Sequence, residues 1–318
     1  QGAQTWMIHP GLESLWGEVD RKWREPPYEY DLPGRSGLYK YAMERNREFL
    51  EQKAAKVEIL EAAAPVEPGK RMTVKVKVTN KAGHKLPTGF SEGRQAWIHL
   101  AVVNEEGKAL YQDGVFGENG RLVRTPETKV YEQVVMAGRP ERRGEEGRSC
   151  YAGYSFLDGN GDGCVDAKES HFHFVLMNYI QKDNRIPPRG FDKEGYEKDG
   201  AFIVPFDPKD TDYPNGQNWD VTPYSFDVPE KTRGIIRVTA TLWYQTFSRE
   251  YVEFLAKSDV EKTQRFGGRA RDLPAGPYAG HETWGSALYQ LWKDAGMGPP
   301  VRLGRAVAEI VVGAGGSP

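Results

Sequence analysis

The sequence predicts a mainly β protein, an antiparallel β-sandwich with N-terminal and C-terminal helical additions. Three observations carry that prediction. Apolar residues alternate with polar ones in several separate stretches, which gives each stretch one apolar face. Turn-forming residues, drawn from 36 Gly and 21 Pro, separate those stretches. No regular succession of helices lies between them, which argues against crossovers and a parallel sheet.

The elements follow in chain order. Residues 1–35 mix Trp6, Trp16, Trp23 and Tyr28 with Pro10, Pro26, Pro27 and Pro33. Aromatic side chains at that density are expected to bury against the body of the protein or against a partner. Ser36 reads as a helix N-cap, and Leu38, Tyr41, Ala42, Phe49 and Leu50 recur at helical spacing as far as about Lys56. The period then changes. Lys56–Ile59 and Met72–Val78 alternate, with a turn over Pro65–Gly69 between them. Gln95–Val103 is a strand, and Asn104-Glu105-Glu106-Gly107 turns it into a second one at Ala109–Gln112. Further strands are predicted at Val130–Met136, His171–Ile180 and Ile235–Trp243. Glu250–Lys257 and His281–Asp294 read as helices. The second gathers Trp284, Leu288, Leu291 and Trp292 on one side and stops at Gly296 before Pro299 and Pro300. Val301–Val312 is extended. The chain thus divides into an aromatic, Pro-rich segment plus helix (1–55), a β-sandwich with an inserted loop (56–248), and C-terminal helices with an extended tail (249–318).

Composition narrows the function classes. The 318 residues are 38% hydrophobic and 28% charged, as in ordinary folded domains. A net charge of −2 creates no basic field for nucleic acid or anionic lipid. No apolar run approaches the ~20 residues of a membrane helix. The chain opens on Gln1, which fits a mature form after signal removal or a shorter piece of a longer chain. Cys150 and Cys164 can close a disulfide in an oxidising compartment, worth roughly 3 kcal/mol for a loop of about 13 residues; otherwise they are two thiols. No CxxCH occurs, so the sequence has no covalent c-type haem site of the usual kind. Nucleophile elbow, phosphate-binding Gly loop and HExxH are also missing, so an enzyme is the less favoured expectation.

The strongest motif is Asp158-Gly-Asn160-Gly-Asp162-Gly163-Cys164-Val-Asp166-Ala-Lys-Glu169. It fits a twelve-residue EF-hand-type calcium loop. Calcium is a hard cation that takes six to eight oxygens. Asp158, Asn160 and Asp162 supply them from positions one, three and five, and Gly163 makes the sharp bend. Cys164 offers its backbone carbonyl at position seven, which leaves its sulfur free for Cys150. Asp166 ligates directly or through water, and Glu169 closes the site. The flanks do not read as two long helices, so the loop is expected to staple β elements rather than act as a switch.

Histidines give weaker signals. His84 sits in Gly83-His84-Lys85-Leu86-Pro87-Thr88-Gly89, a stiff turn just after a strand. Its ring can cap the loop through a hydrogen bond or serve as an axial ligand to iron. His171 and His173 are two apart on a predicted strand and would share a face, where they could hold zinc or copper. His9, His99 and His281 carry no signature.

Four stretches in consistent order resemble the haem-free C-terminal β-sandwich region of bacterial extracytoplasmic multihaem c-type cytochromes. They are Asn80–Gly89 followed by Arg94 and Trp97; Glu169-Ser170 leading to Lys182-Asp183-Asn184-Arg185-Ile186-Pro187-Pro188-Arg189-Gly190-Phe191; Ala240-Thr241-Leu242-Trp243-Tyr244-Gln245-Thr246 with Glu250–Leu255; and Leu288-Tyr289 to Pro299-Pro300-Val301. Together they span roughly residues 40–305. The resemblance implies that His84 is a haem ligand or stands at a haem edge. Arg185 could then reach a carboxylate or a haem propionate. The haem-binding half of such proteins has no counterpart here, so any haem would be supplied by a partner chain. The expected function is a non-catalytic calcium-binding subunit of an extracytoplasmic electron-transfer complex, periplasmic or at the cell surface, with a multihaem cytochrome as partner. A cell-surface adhesion module for carbohydrate or protein, and a metal-dependent enzyme subunit using His84, His171 or His173, are the alternatives.

Overall fold

Alternating apolar residues in this chain can be buried only if two sheets face each other, and that is the architecture found. The computed structural model describes residues 35–62, 66–89, 92–143, 149–152, 171–262 and 284–313. Helix α1 (Arg35–Phe49) runs into a π-helical turn (Leu50–Ala54) and then strand β1 (Ala55–Ala62). Ser36 lies within the helix, which already includes Arg35, so it is not the N-cap read from the sequence. Lys56 belongs to β1, so the strand begins before the predicted end of the helix.

Strands β2 (Arg71–Asn80), β3 (Gln95–Val103), β4 (Ala109–Asp113), β5 (Val130–Ala137), β6 (Arg139–Arg143), β7 (Ser149–Ala152), β8 (Met177–Asp183), β9 (Trp219–Asp227), β10 (Gly234–Gln245) and β11 (Val301–Val312) complete the β framework. Helix α2 (Lys193–Lys198) lies between β8 and β9; α3 (Arg249–Lys262) and α4 (Trp284–Asp294) lie between β10 and β11. The smaller sheet has the order β1-β2-β9 and the larger one β11-β10-β3-β5-β8, with β4 also paired to β3. Strands β6 and β7 form a separate hairpin. Every pairing between named strands is antiparallel.

The register explains the core. On β2, Met72, Val74, Val76 and Val78 point inward, while Arg71, Thr73 and Lys75 face solvent. They meet Ile98, Leu100 and Val102 of β3 and Ile236, Val238 and Leu242 of β10 in one continuous cluster. Strand β3 is covered on both faces at its start. Trp97 is turned away from the sandwich yet fully buried; it stacks on Phe116 at 5.9 Å and donates its Nε1–H to the Gly114 carbonyl at 2.9 Å. Helices α3 and α4 add a satellite cluster in which Val252 and Trp292 are buried among Phe247, Leu288 and Met297.

Strand β9 has no counterpart among the strands expected from the sequence. Pro223 interrupts its reading as a strand, but β9 is an edge of its sheet, where a missing N–H is tolerated. The alternation of Thr222, Tyr224 and Phe226 was the available signal. The strand predicted over His171–Ile180 is also corrected. His171 makes an isolated bridge to Met136, Phe172 takes φ +67°, and Phe174–Leu176 is a 3-10 turn, so β8 starts only at Met177. Among the described residues no helix is long and apolar enough to cross a membrane.

Candidate functional site

Two of the stretches that carry the family resemblance, 80–89 and 182–191, are far apart in sequence and meet at one end of the sandwich. Asn80, the last residue of β2, joins them. It is fully buried. Its Nδ2 donates to the carbonyls of His84 at 2.7 Å, Ile186 at 2.9 Å and Pro187 at 3.0 Å, and its Oδ1 accepts from the Ala82 N–H at 2.8 Å. Leu86 and Ile186 exchange backbone hydrogen bonds at 2.9 and 3.1 Å. Arg94 donates to the Thr88 carbonyl and fastens the far side of the loop. The result is a loop whose backbone is tied at several points while the His84 side chain remains exposed. Among the described residues its ring has no hydrogen-bond partner.

Lys85, the next residue, points the other way. Its Nζ reaches Asp183 Oδ2 at 3.0 Å and the carbonyls of Ala201 and Phe202 at 2.9 and 2.6 Å. Burial lowers the Lys85 pKa, and Asp183 partly offsets that effect. Arg185 takes the same carboxylate, Nε to Oδ1 at 2.8 Å and Nη2 to Oδ2 at 2.7 Å. Its guanidinium is thus engaged within the chain, on one carboxylate shared with Lys85.

A larger buried network lies beside this junction. Asn184 accepts from the Glu132 N–H at 2.9 Å and donates to the Val130 carbonyl at 2.8 Å, which caps the half of β5 that β8 leaves unpaired. Lys129, fully buried, lies 3.4 Å from Asp210 and 3.3 Å from Asp220. Asp220 also accepts from Tyr131 at 2.8 Å and from Thr211. Glu132 holds Arg124 bidentately at 2.8 Å and Lys182 at 3.2 Å. Burial alone would raise the Glu132 pKa, but these two cations outweigh it and hold the carboxyl at about 2.

Glu92 is the exception. Its side chain is buried, its Oε2 has no donor among the described residues, and burial pushes its pKa up to about 7. It precedes Gly93, whose φ of +72° and contact with the Tyr251 ring leave no room for a side chain; a Cβ there would stand 2.6 Å from Tyr251 Cγ. Neither Glu92 nor Glu132 carried a sequence signal, because Glu is too common for burial to be read from identity.

The third and fourth resembling stretches form the opposite support of the larger sheet. Gln245 on β10 donates to the Gly298 carbonyl at 2.9 Å and accepts from Gln95 at 2.7 Å, which ties β3 and β10 to the turn after α4. His171 stacks on Phe172 at 3.7 Å, and His173 meets the Phe254 ring at 5.0 Å. The two histidines precede the strand and do not form the shared strand face expected. Among the described residues no group of three or more His, Cys, Asp or Glu is disposed to hold a metal ion. The calcium loop expected over 158–169, Cys164, the Trp-rich segment 1–34, His9 and His281 lie outside the described residues, and Cys150 is on β7.

No family model matches the chain, and no curated protein matches it. Among solved structures it is similar to a penta-heme cytochrome c552 from Thermochromatium tepidum, with 13% identity and a TM-score of 0.37. That match covers 84% of this chain and 41% of the cytochrome chain, so this chain spans less than half of its length. A likeness this distant carries no functional argument by itself.

Proposed function

We propose that this chain is a non-catalytic, calcium-binding subunit of an extracytoplasmic electron-transfer assembly, and that it docks a multihaem c-type cytochrome through the face that displays His84. The observation that carries the reading is local. The two most specific resembling stretches converge on Asn80, and their convergence leaves one exposed imidazole on a backbone fixed by hydrogen bonds. A ligand offered to another molecule's iron must keep its ligating nitrogen accessible and its backbone held in place. No CxxCH occurs in these 318 residues, so a haem at His84 would be attached outside them.

Calcium belongs to the proposal through donor chemistry. Asp158, Asn160, Asp162, the Cys164 carbonyl, Asp166 and Glu169 would supply hard oxygens in the order an EF-type loop uses. Its role is structural, since clustered carboxylates repel without the cation. A bridge between Cys150 and Cys164 would staple the same insertion in an oxidising compartment.

The test is purification from the source at saturating calcium, followed by an absorption spectrum and identification of co-eluting chains. The expected result is a Soret band and a haem-bearing companion, both lost from the preparation when His84→Ala replaces the wild type. A lone, colourless monomer under those conditions would overturn the reading.

A further inference from the structure

A groove runs beside the Arg124–Glu132 pair, and the proposed docking through His84 makes no use of it. It consists of two hollows that share Arg124, Glu132 and Val134 as walls. The wider one, about 630 Å³, is bounded by Pro126, Val130, Phe206, Pro208 and the Lys182 and Lys209 side chains. The narrower one, about 320 Å³, is bounded by Arg94, His171, Phe172 and Ser248. Both volumes fall in the range that holds small molecules.

The walls specify a chemistry. The wide hollow is largely apolar, and Phe206 is 59% exposed at its rim. The narrow hollow has donors without partners. Arg124 has five N–H groups and directs three hydrogen bonds, two to Glu132 and one to Gln95 at 2.8 Å, while its side chain stays 49% exposed. His171 lines the same hollow with a buried Nε2 that has no partner among the described residues. A buried polar atom without a partner costs free energy that a ligand can recover. Across both hollows, Arg94, Arg124, Lys182 and Lys209 face Glu132, Asp207 and Glu250, so one positive charge is in excess.

We propose that this groove binds a small organic anion with an apolar body, its carboxylate at Arg124 and His171 and its body over Val134 toward Phe206. The proposal is independent of the cytochrome reading.

Benzoate is the probe, titrated into protein labelled with ¹⁵N in the imidazoles at saturating calcium. The resonance pair lost in His171→Phe is expected to shift with benzoate, and benzyl alcohol, which has the same body without the charge, is expected to leave it in place. Val134→Trp fills the wall shared by both hollows and should weaken benzoate by about tenfold, near 1.4 kcal/mol, at an unchanged thermal midpoint. If that variant does not fold, Phe206→Ala decides at the exposed rim, with a loss of about threefold expected. The proposal is wrong if benzoate leaves the His171 signal unmoved, if benzyl alcohol shifts it equally, or if the folded wall or rim variant binds as the wild type does.

Discussion

The space between the sheets and the polar end of the sandwich are buried to the same degree by opposite chemistry. Val74, Val76, Leu100 and Ile236 are fully buried and need only neighbours of suitable volume. Lys129, Asp183, Asn184 and Asp220 are almost as completely buried, at 0 to 1% exposure, and each needs a specific partner at hydrogen-bond distance. The first region loses transfer free energy and keeps part of the cavity when a side chain is cut back, but no charge is left unpaired. In the second, removing one member leaves its partner charged and dry.

That contrast predicts a ranking. Asp220→Ala leaves Lys129 with one carboxylate fewer and Tyr131 without its acceptor, and should cost about 3–5 kcal/mol in urea unfolding. Leu100→Ala, in the apolar interior, should cost about 2–4 kcal/mol. If Asp220→Ala proves the cheaper of the two, the polar end is not held by its charge pairs.

Two buried carboxylates give a sharper version, because their pH dependences have opposite sign. Glu132 has a folded pKa of about 2, below the roughly 4.3 of an unfolded glutamate. Its contribution is present above the unfolded value and is lost as pH falls through the window toward 2. Glu92 has a folded pKa of about 7, above the unfolded value. Its contribution is complete below about 4.3 and is lost as pH rises through 7. Glu92→Gln should therefore gain stability relative to wild type between pH 5 and 8. Glu132→Gln should be destabilised at pH 7 and converge on wild type in acid. Parallel unfolding curves for wild type and Glu92→Gln across that range would show that Glu92 is not buried as a carboxylic acid.

Calcium removal tests the stapled insertion. Chelation should lower the thermal midpoint, and added calcium should restore it in proportion to the logarithm of its concentration. The smallest effect belongs to the solvent-facing Arg237–Glu309 pair at 2.9 Å, where both side chains are more than half exposed. Glu309→Gln should change stability by no more than about 0.5 kcal/mol, and a larger loss would mean that the outer face of β10 and β11 is covered by something else.

Strand β2 is legible in the sequence through its one solvated face, and β3, covered on both faces at its start, through its apolar run. Met72–Val78 alternates because Arg71, Thr73 and Lys75 face water, and Gln95–Val103 matches β3 at both ends. Strand β9 was hidden by Pro223, which reads as a breaker until the strand is known to be an edge. The 171–180 stretch looked like one strand because His171, His173 and Val175 alternate. Its 3-10 turn and the positive φ of Phe172 leave no mark in the periodicity.

The candidate site divides in the same way. The motifs 80–89 and 182–191 were recognisable as stretches, and His84 stood out by its place in a stiff turn. Which of their polar residues face inward was not. Arg185 reads in the sequence as a partner for a carboxylate or a haem propionate and Lys85 carries no signal, and only the fold shows that both meet one buried carboxylate, that of Asp183.

By itself the sequence determined the antiparallel β class, the oxygen-rich run of side chains over 158–169 and the absence of a CxxCH haem motif, because each depends on residue types at short, fixed spacing. Tertiary structure alone decided that Asn80 gathers two distant loops, that Glu92 is buried with an oxygen that has no donor among the described residues, and that Arg124 and His171 line one groove. Those facts depend on contacts across as many as 107 positions of chain, and no local pattern of residues encodes a distance that only folding creates.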